Sequence, residues 1–236
     1  AVAPDGKTAY VANAGSSNVT PIDTASGMAG TPIAAGSDAV GIALTPDGTT
    51  AYEANDVPNS VTPINLATRT AGSAIGVGAN PEGVAVTPDG RTAYVTNYSS
   101  NSVTPITIAT NTAGSPIPVG NNPLGIAITP DGRTAYVANV FSNTVTPIDT
   151  RTNTAGPPIP VGNTPVGIAI TPDGRTAYVT AINANGVVPI NLASATAGSP
   201  IPVGTNPYAI AITPDQAPVA KLSVTPGLVG SPTTFD

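Results

Sequence analysis

Six aspartates, Asp5, Asp47, Asp89, Asp131, Asp173 and Asp215, recur at intervals of 42 residues, each directly after a proline. Four of them carry a base two residues on, at Lys7, Arg91, Arg133 and Arg175. Carboxylates gathered into one ring would offer hard oxygen ligands to Ca²⁺. The same Pro-Asp-Gly segments also suit a tight turn, in which each Asp bonds its own backbone and is partly neutralised by the nearby base. Recurrence in every unit favours the turn, because a metal site needs convergence and a turn needs only repetition.

Two further ladders share the period. Tyr10, Tyr52, Tyr94, Tyr136 and Tyr178 offer a stacking surface for sugars or bases, or packing between units. Asn13, Asn55, Asn97 and Asn139 offer amides to a polar ligand, or cap the end of a strand. In both ladders repetition again favours the structural role. The chain has no histidine and no cysteine, which removes imidazole catalysis, thiol nucleophiles, disulfides and Cys/His zinc sites. No Ser or Thr has a His or Lys partner motif, and only Glu53 and Glu82 supplement the aspartates.

The elements that position these residues follow from the unit running from Pro81 to Asn122. Gly83 to Thr87 alternates small and branched residues with period two, as a strand in a confined space would. Thr87-Pro88-Asp89-Gly90 is a hairpin turn, and Thr92 to Thr96 is the second strand. A loop from Asn97 to Asn101 leads to a third strand over Ser102 to Ile106. Thr110 to Gly114 turns the chain into a short, proline-bearing fourth strand at Ile117 to Val119, an edge strand. Four antiparallel strands per 42 residues, repeated, predict an all-β propeller of five blades. The 27 prolines and 25 glycines exclude a helical solenoid. Small residues at Gly83, Ala85, Gly125, Ala127, Gly167 and Ala169 suit the innermost strand, where blades crowd the axis.

Two expectations about pairing follow. Tyr208 to Thr213 has no outer strands of its own and is expected to serve as the inner strand of the first blade, whose own is reduced to Ala1-Val2-Ala3, so closing the ring. The third-strand prolines Pro63, Pro105 and Pro147 lack an amide donor, so they should interrupt the ladder to the fourth strand or else point their nitrogens outward beyond the short edge.

The runs Tyr94-Val95-Thr96-Asn97, Tyr136-Val137-Ala138-Asn139 and Pro123-Leu124-Gly125-Ile126-Ala127-Ile128-Thr129-Pro130-Asp131-Gly132 resemble the YVTN family of β-propeller repeats, over residues 1–215. The resemblance implies a secreted or cell-surface protein of bacteria or archaea, often with seven blades, so that the five units are alternatively part of a larger ring. Relatives include lactonase-like propellers. This chain departs from the pattern in its third-strand prolines and in Ala181, which replaces the asparagine of the last repeat. The tail 216–236 changes register and resembles a linker and the opening of a PKD-type immunoglobulin-like domain, cut short.

Only 8% of residues are charged and the net charge is -6, with seven scattered bases, so the chain lacks the electrostatic footprint for nucleic acid or an anionic membrane. No apolar run is long enough to span a bilayer, and no signal segment is present, so the chain reads as soluble and extracellular or surface-bound with its targeting signal elsewhere.

Variation concentrates in two places. The loops after the second strand differ, with Asp56, Tyr98 and Phe141 among their residues, and so do the positions just before the inner strand, Val40, Glu82, Leu124, Val166 and Tyr208. In an up-and-down blade both connections lie on one face, so a mouth bearing Asp56, Glu82, Tyr98, Phe141 and Tyr208 is the candidate ligand site. Drift between duplicated units is the alternative source of the same variation. The expected function is a non-catalytic binding or spacer module whose partner is a cell-surface protein or polysaccharide, needing no cofactor unless Ca²⁺. The alternative is a metal-dependent lactonase-like or lyase-like enzyme, with Asp56 and Glu82 holding the metal.

Overall fold

The structure, a computed structural model, describes residues 1–213. Asp215 and the PKD-like expectation for 216–236 lie outside the described residues. Five antiparallel sheets follow one another along the chain, one per repeat, and adjacent sheets pack face to face. In the third blade the inner strand is Pro81–Val86, the second Thr92–Asn97 and the third Ser102–Thr107. The inner strands Ala39–Leu44, Pro81–Val86, Pro123–Ile128 and Pro165–Ile170 are successive neighbours around the axis.

The outer position is divided between two short strands, Thr112–Ala113 and Ile117–Pro118. The first of these was expected to be turn. The third strand pairs outward at Ile106 and Thr107 and again at Ser102 and Val103, and skips Thr104 and Pro105 between them. The same gap falls at Pro63 and Pro147. The missing amide therefore breaks the ladder where the sequence predicts, and the proline carbonyl is used instead, accepting from Gly114 N at 2.7 Å.

Each repeated aspartate among the described residues is tied into its own hairpin. Gly90 N donates to Thr87 O at 2.8 Å and Gly90 takes φ +69°, the left-handed conformation that closes the turn. Asp89 Oδ1 accepts from Thr87 Oγ1 at 2.6 Å and from Arg91 N at 3.0 Å. These bonds hold the Asp89 carboxyl below its ordinary range, the Thr87 hydroxyl contributing most. The Arg91 guanidinium is 3.8 Å away and exposed, and adds little. Asp47, Asp131 and Asp173 repeat the arrangement.

The core is a series of layers between blades. Tyr94, Val103 and Ile117 of the third blade meet Ala135, Val137 and Ile148 of the fourth, and each junction reuses these positions. The tyrosines span the junction. Tyr94 OH donates to Asn153 Oδ1 at 2.6 Å, and burial, helped by Asp149 and Asp89, pushes its phenol up to about 12.

Among the described residues the first blade has the smallest sheet. Its sheet has three strands, with only Val2 bridging to Ala9 in the inner position. The expectation that Tyr208 to Thr213 completes it is not met, because these residues form no strand. They dock instead along the inner strand of the fifth blade, where Tyr208 O accepts from Thr180 Oγ1 at 3.0 Å. Ala1 already exchanges two hydrogen bonds with Tyr10, filling part of the place the segment was expected to take. Among the described residues no element of the fifth blade packs closely against the first, and Val11 and Ile201 stay 42% and 46% exposed, so the five described blades form an open arc.

Candidate functional site

The loop after each second strand is stitched to the connection before the inner strand. Tyr98 N donates to Asn80 O at 2.8 Å, Val140 N to Asn122 O at 3.0 Å, Asp56 N to Asp38 O at 3.0 Å and Ile182 N to Thr164 O at 3.0 Å. In the second to fifth blades the two variable segments thus lie on one face, opposite the aspartate hairpins. Asn80 and Asn122 turn there with φ +51° and +57°, which asparagine tolerates better than most residues.

On this face an open groove of about 340 Å³ follows the axis, and its walls include Val40, Glu82, Leu124, Val166 and Tyr208. Glu82 is half-buried, and its carboxyl is raised by that burial and by the nearby Asp56. Asp56 accepts from Asn80 Nδ2, and Asn80 Oδ1 accepts from Ser99 Oγ. Beside them Tyr98 and Phe141 meet edge to face, with centroids 6.4 Å apart, and Phe141 stays 66% exposed. Of the five expected residues, Glu82 and Tyr208 line the groove, Asp56 sits within electrostatic reach of Glu82, and Tyr98 and Phe141 form a separate aromatic pair on the same face.

Asn80, Ser99 and Asp38 also belong to this mouth and were not anticipated. Their signal was available, since Asp38 and Asn80 occupy one position of the period. Among the described residues no three acidic side chains converge closely enough to hold a metal ion. Glu53, by contrast, is fully buried and lines no part of the groove.

The asparagine ladder is structural. Asn97 is buried, donates from Nδ2 to Thr104 Oγ1 at 2.9 Å and to Ser102 Oγ at 3.1 Å, and accepts from Gly78 N at 3.1 Å. The fifth blade deletes this network as a unit, with Ala181, Gly186 and Val188 at the three side-chain positions. Asn97→Ala is expected to cost about 1–3 kcal/mol, since it strands three partners, whereas removing both ends of a bond is nearly neutral. Denaturant midpoints should therefore place Asn97→Ala/Thr104→Val above Asn97→Ala; a double variant no more stable than the single one would contradict this account.

No protein-family model matches the sequence, and neither does any curated protein. Solved structures do match. Hydrazine synthase of Kuenenia stuttgartiensis superposes with a TM-score of 0.79 at 25% identity, over 88% of this chain and 68% of that one. A functionally unknown protein of Desulfotomaculum acetoxidans superposes with a TM-score of 0.75 at 22% identity, over 88% of this chain and 70% of that one. The fold is that of β-propeller proteins. The likeness is one of architecture, and propeller architecture does not specify chemistry.

Proposed function

We propose that this chain is a non-catalytic binding module of a secreted or cell-surface protein, of the YVTN type its repeats resemble, and that its ligand is a surface polysaccharide or protein seated on the variable mouth. One observation carries the reading: the residue before each inner strand, which differs from blade to blade, walls the axial groove, and the variable loops after the second strands supply its aromatic rim. The groove is mostly apolar with one carboxyl, Glu82, and the flanking rings are amphipathic or apolar, a combination that binds the apolar faces of sugars or side chains while a carboxylate orders hydroxyls. The Asp56–Glu82 proximity supports a second reading, a loosely held divalent cation serving a lactonase-like reaction.

The test is a glycan and cell-wall-polymer binding screen of the parent beside a Tyr98→Ala/Phe141→Ala/Tyr208→Ala variant, with and without Ca²⁺. Loss of at least tenfold in affinity in the variant is expected. Equal binding by the two proteins would reject the mouth and favour a spacer role, and Ca²⁺-dependent turnover of a lactone would favour the enzyme.

A further inference from the structure

The tyrosines of the second and third blades each bond a side chain of the following blade, and the tyrosine of the fourth finds none. Tyr52 OH donates to Asn111 Oδ1 at 2.7 Å and Tyr94 OH to Asn153 Oδ1 at 2.6 Å, in each pair across a separation of 59 residues. At the same separation from Tyr136 stands Ala195. Ala195 keeps the left-handed backbone of the two asparagines, φ +52° beside +51° and +54°, a conformation that asparagine visits more readily than alanine. The turn is thus retained while the carboxamide is gone. Tyr136 is only 6% exposed, and among the described residues its hydroxyl has no hydrogen-bond partner. Burial, helped by Asp131, pushes its phenol up, so the group keeps its proton and stays a donor. At the first junction the corresponding residue is Arg69, whose guanidinium donates to Thr31 O.

Tyr136 lines a cleft of about 380 Å³ between the fourth and fifth blades, on the hairpin face opposite the mouth. That volume lies toward the lower end of the range for small-molecule sites. The lining is apolar at Leu192 and Ala193 and acidic at Asp131 and Asp173. The Oδ1 atoms of both aspartates are taken up by their own hairpins. Their Oδ2 atoms face only the exposed guanidinium groups of Arg133 and Arg175, at 3.9 Å and 4.0 Å, and keep the capacity to accept from a ligand. Because each carboxylate is matched by a base, the cleft has no net charge with which to favour an ion.

We infer that this cleft binds a neutral N-acetylated amino sugar, whose acetamido group takes the place of the carboxamide that Ala195 lacks. The acetamido carbonyl is the same kind of acceptor that Asn153 Oδ1 presents to Tyr94. Its methyl suits the apolar lining at Leu192 and Ala193, and the ring hydroxyls are donors for the Oδ2 atoms of Asp131 and Asp173. An Asn or Gln side chain of a peptide carries the same carbonyl, but it brings neither the methyl nor the hydroxyls. The site is separate from the variable mouth and does not depend on it.

The experiment is isothermal titration of the parent, Ala195→Asn, Tyr136→Phe and the Tyr98→Ala/Phe141→Ala/Tyr208→Ala variant with N-acetylglucosamine, glucose and an asparagine-containing tripeptide, with melting temperatures measured in parallel. The parent is expected to bind N-acetylglucosamine about tenfold more tightly than glucose, which has no acetamido acceptor for Tyr136. Ala195→Asn fills the place from within, so it should lose about tenfold in affinity while melting roughly 1–6 °C higher, the effect of one added hydrogen bond. Tyr136→Phe should lose affinity by a similar factor with its melting temperature unchanged, because the hydroxyl it removes bonds nothing in the free chain. The triple variant, altered on the opposite face, should bind N-acetylglucosamine as the parent does. A parent that does not prefer N-acetylglucosamine, a tripeptide bound more tightly than the sugar, or undiminished binding by Ala195→Asn would each overturn the inference. Weaker binding by Ala195→Asn together with a lower melting temperature would also reject it, since that marks disruption and not occupancy.

Discussion

A chain carrying Glu53→Val is expected to be more stable than the parent at neutral pH by about 1–3 kcal/mol, the cost of leaving a buried polar group unsatisfied, because the Asn55 amide can turn over to accept from Gly36 N and donate to the Ser60 and Thr62 hydroxyls, as Asn97 does one blade on. For a chain of this size that corresponds to a rise in melting temperature of roughly 2–12 °C. Glu53 occupies the position held by Val95, Val137 and Val179 in later blades, and no part of it reaches solvent. Its Oε2 accepts from Gly36 N at 2.9 Å and Asn55 Nδ2 at 3.0 Å, while Oε1 has no partner. Burial pushes the carboxyl up, against the opposing pull of these two bonds.

The sign of the pH effect follows. A raised folded-state value means that the unfolded chain loses its proton first. The parent is therefore destabilised as pH rises from the ordinary glutamate range through the raised value, and the penalty persists above it. The titratable or charged groups near Glu53 do not add a charge interaction of note, the carboxyl being governed by burial and the two bonds. The hairpin aspartates slope the other way: bonds from Thr45, Thr87, Thr129 and Thr171 lower them, so their contribution is present above the ordinary aspartate range and is lost as pH falls. Melting curves from pH 2 to pH 9 should show a decline above the ordinary glutamate range in the parent and its absence in Glu53→Val, with the loss below the ordinary aspartate range common to both. A parallel decline in both proteins would show that Glu53 is not its source.

Gly125→Val should lose stability by about 1–3 kcal/mol or more, the usual range for forcing extra atoms into a packed site. The glycine is not there for an unusual φ. A side chain at this position would run into the carbonyl oxygen of Val166 on the adjacent inner strand, with Ile168 N 3.3 Å away. Backbone cannot step aside as a side chain can, and both flanking blades are held by their own junctions. Gly76, which has open space around its would-be Cβ, is the control, and Gly76→Val should shift the midpoint much less. Equal losses at the two positions would mean that backbone entropy, not close approach, sets the requirement.

Much of this fold is legible in the sequence because a repeat states each local instruction five times. Pro-Asp-Gly marks the hairpin, alternation marks the strands, and the third-strand proline marks the gap in the outer ladder. The connection of the ends was misread for a physical reason. Tyr208 to Thr213 matches an inner strand residue by residue, but pattern encodes which partner a strand can accept and not whether that partner lies within reach. The mouth was legible as a set of variable positions. Its asparagine and serine stitching was not, because Asn80 and Ser99 have side chains that look like ordinary turn formers. Glu53 was visible only as an extra acid, since its burial depends on the neighbouring blade that faces it.

The open arc also changes how the molecule comes apart. Among the described residues every junction joins sequence-adjacent blades, so the stability of this part is close to a sum of blade and nearest-neighbour terms. The third blade is sheltered by two junctions on either side, whereas the first and fifth each have one. Opening therefore starts at the tips and moves inward, and a partner seated across several inner strands would be gripped most firmly at the middle of the arc and released from its margins.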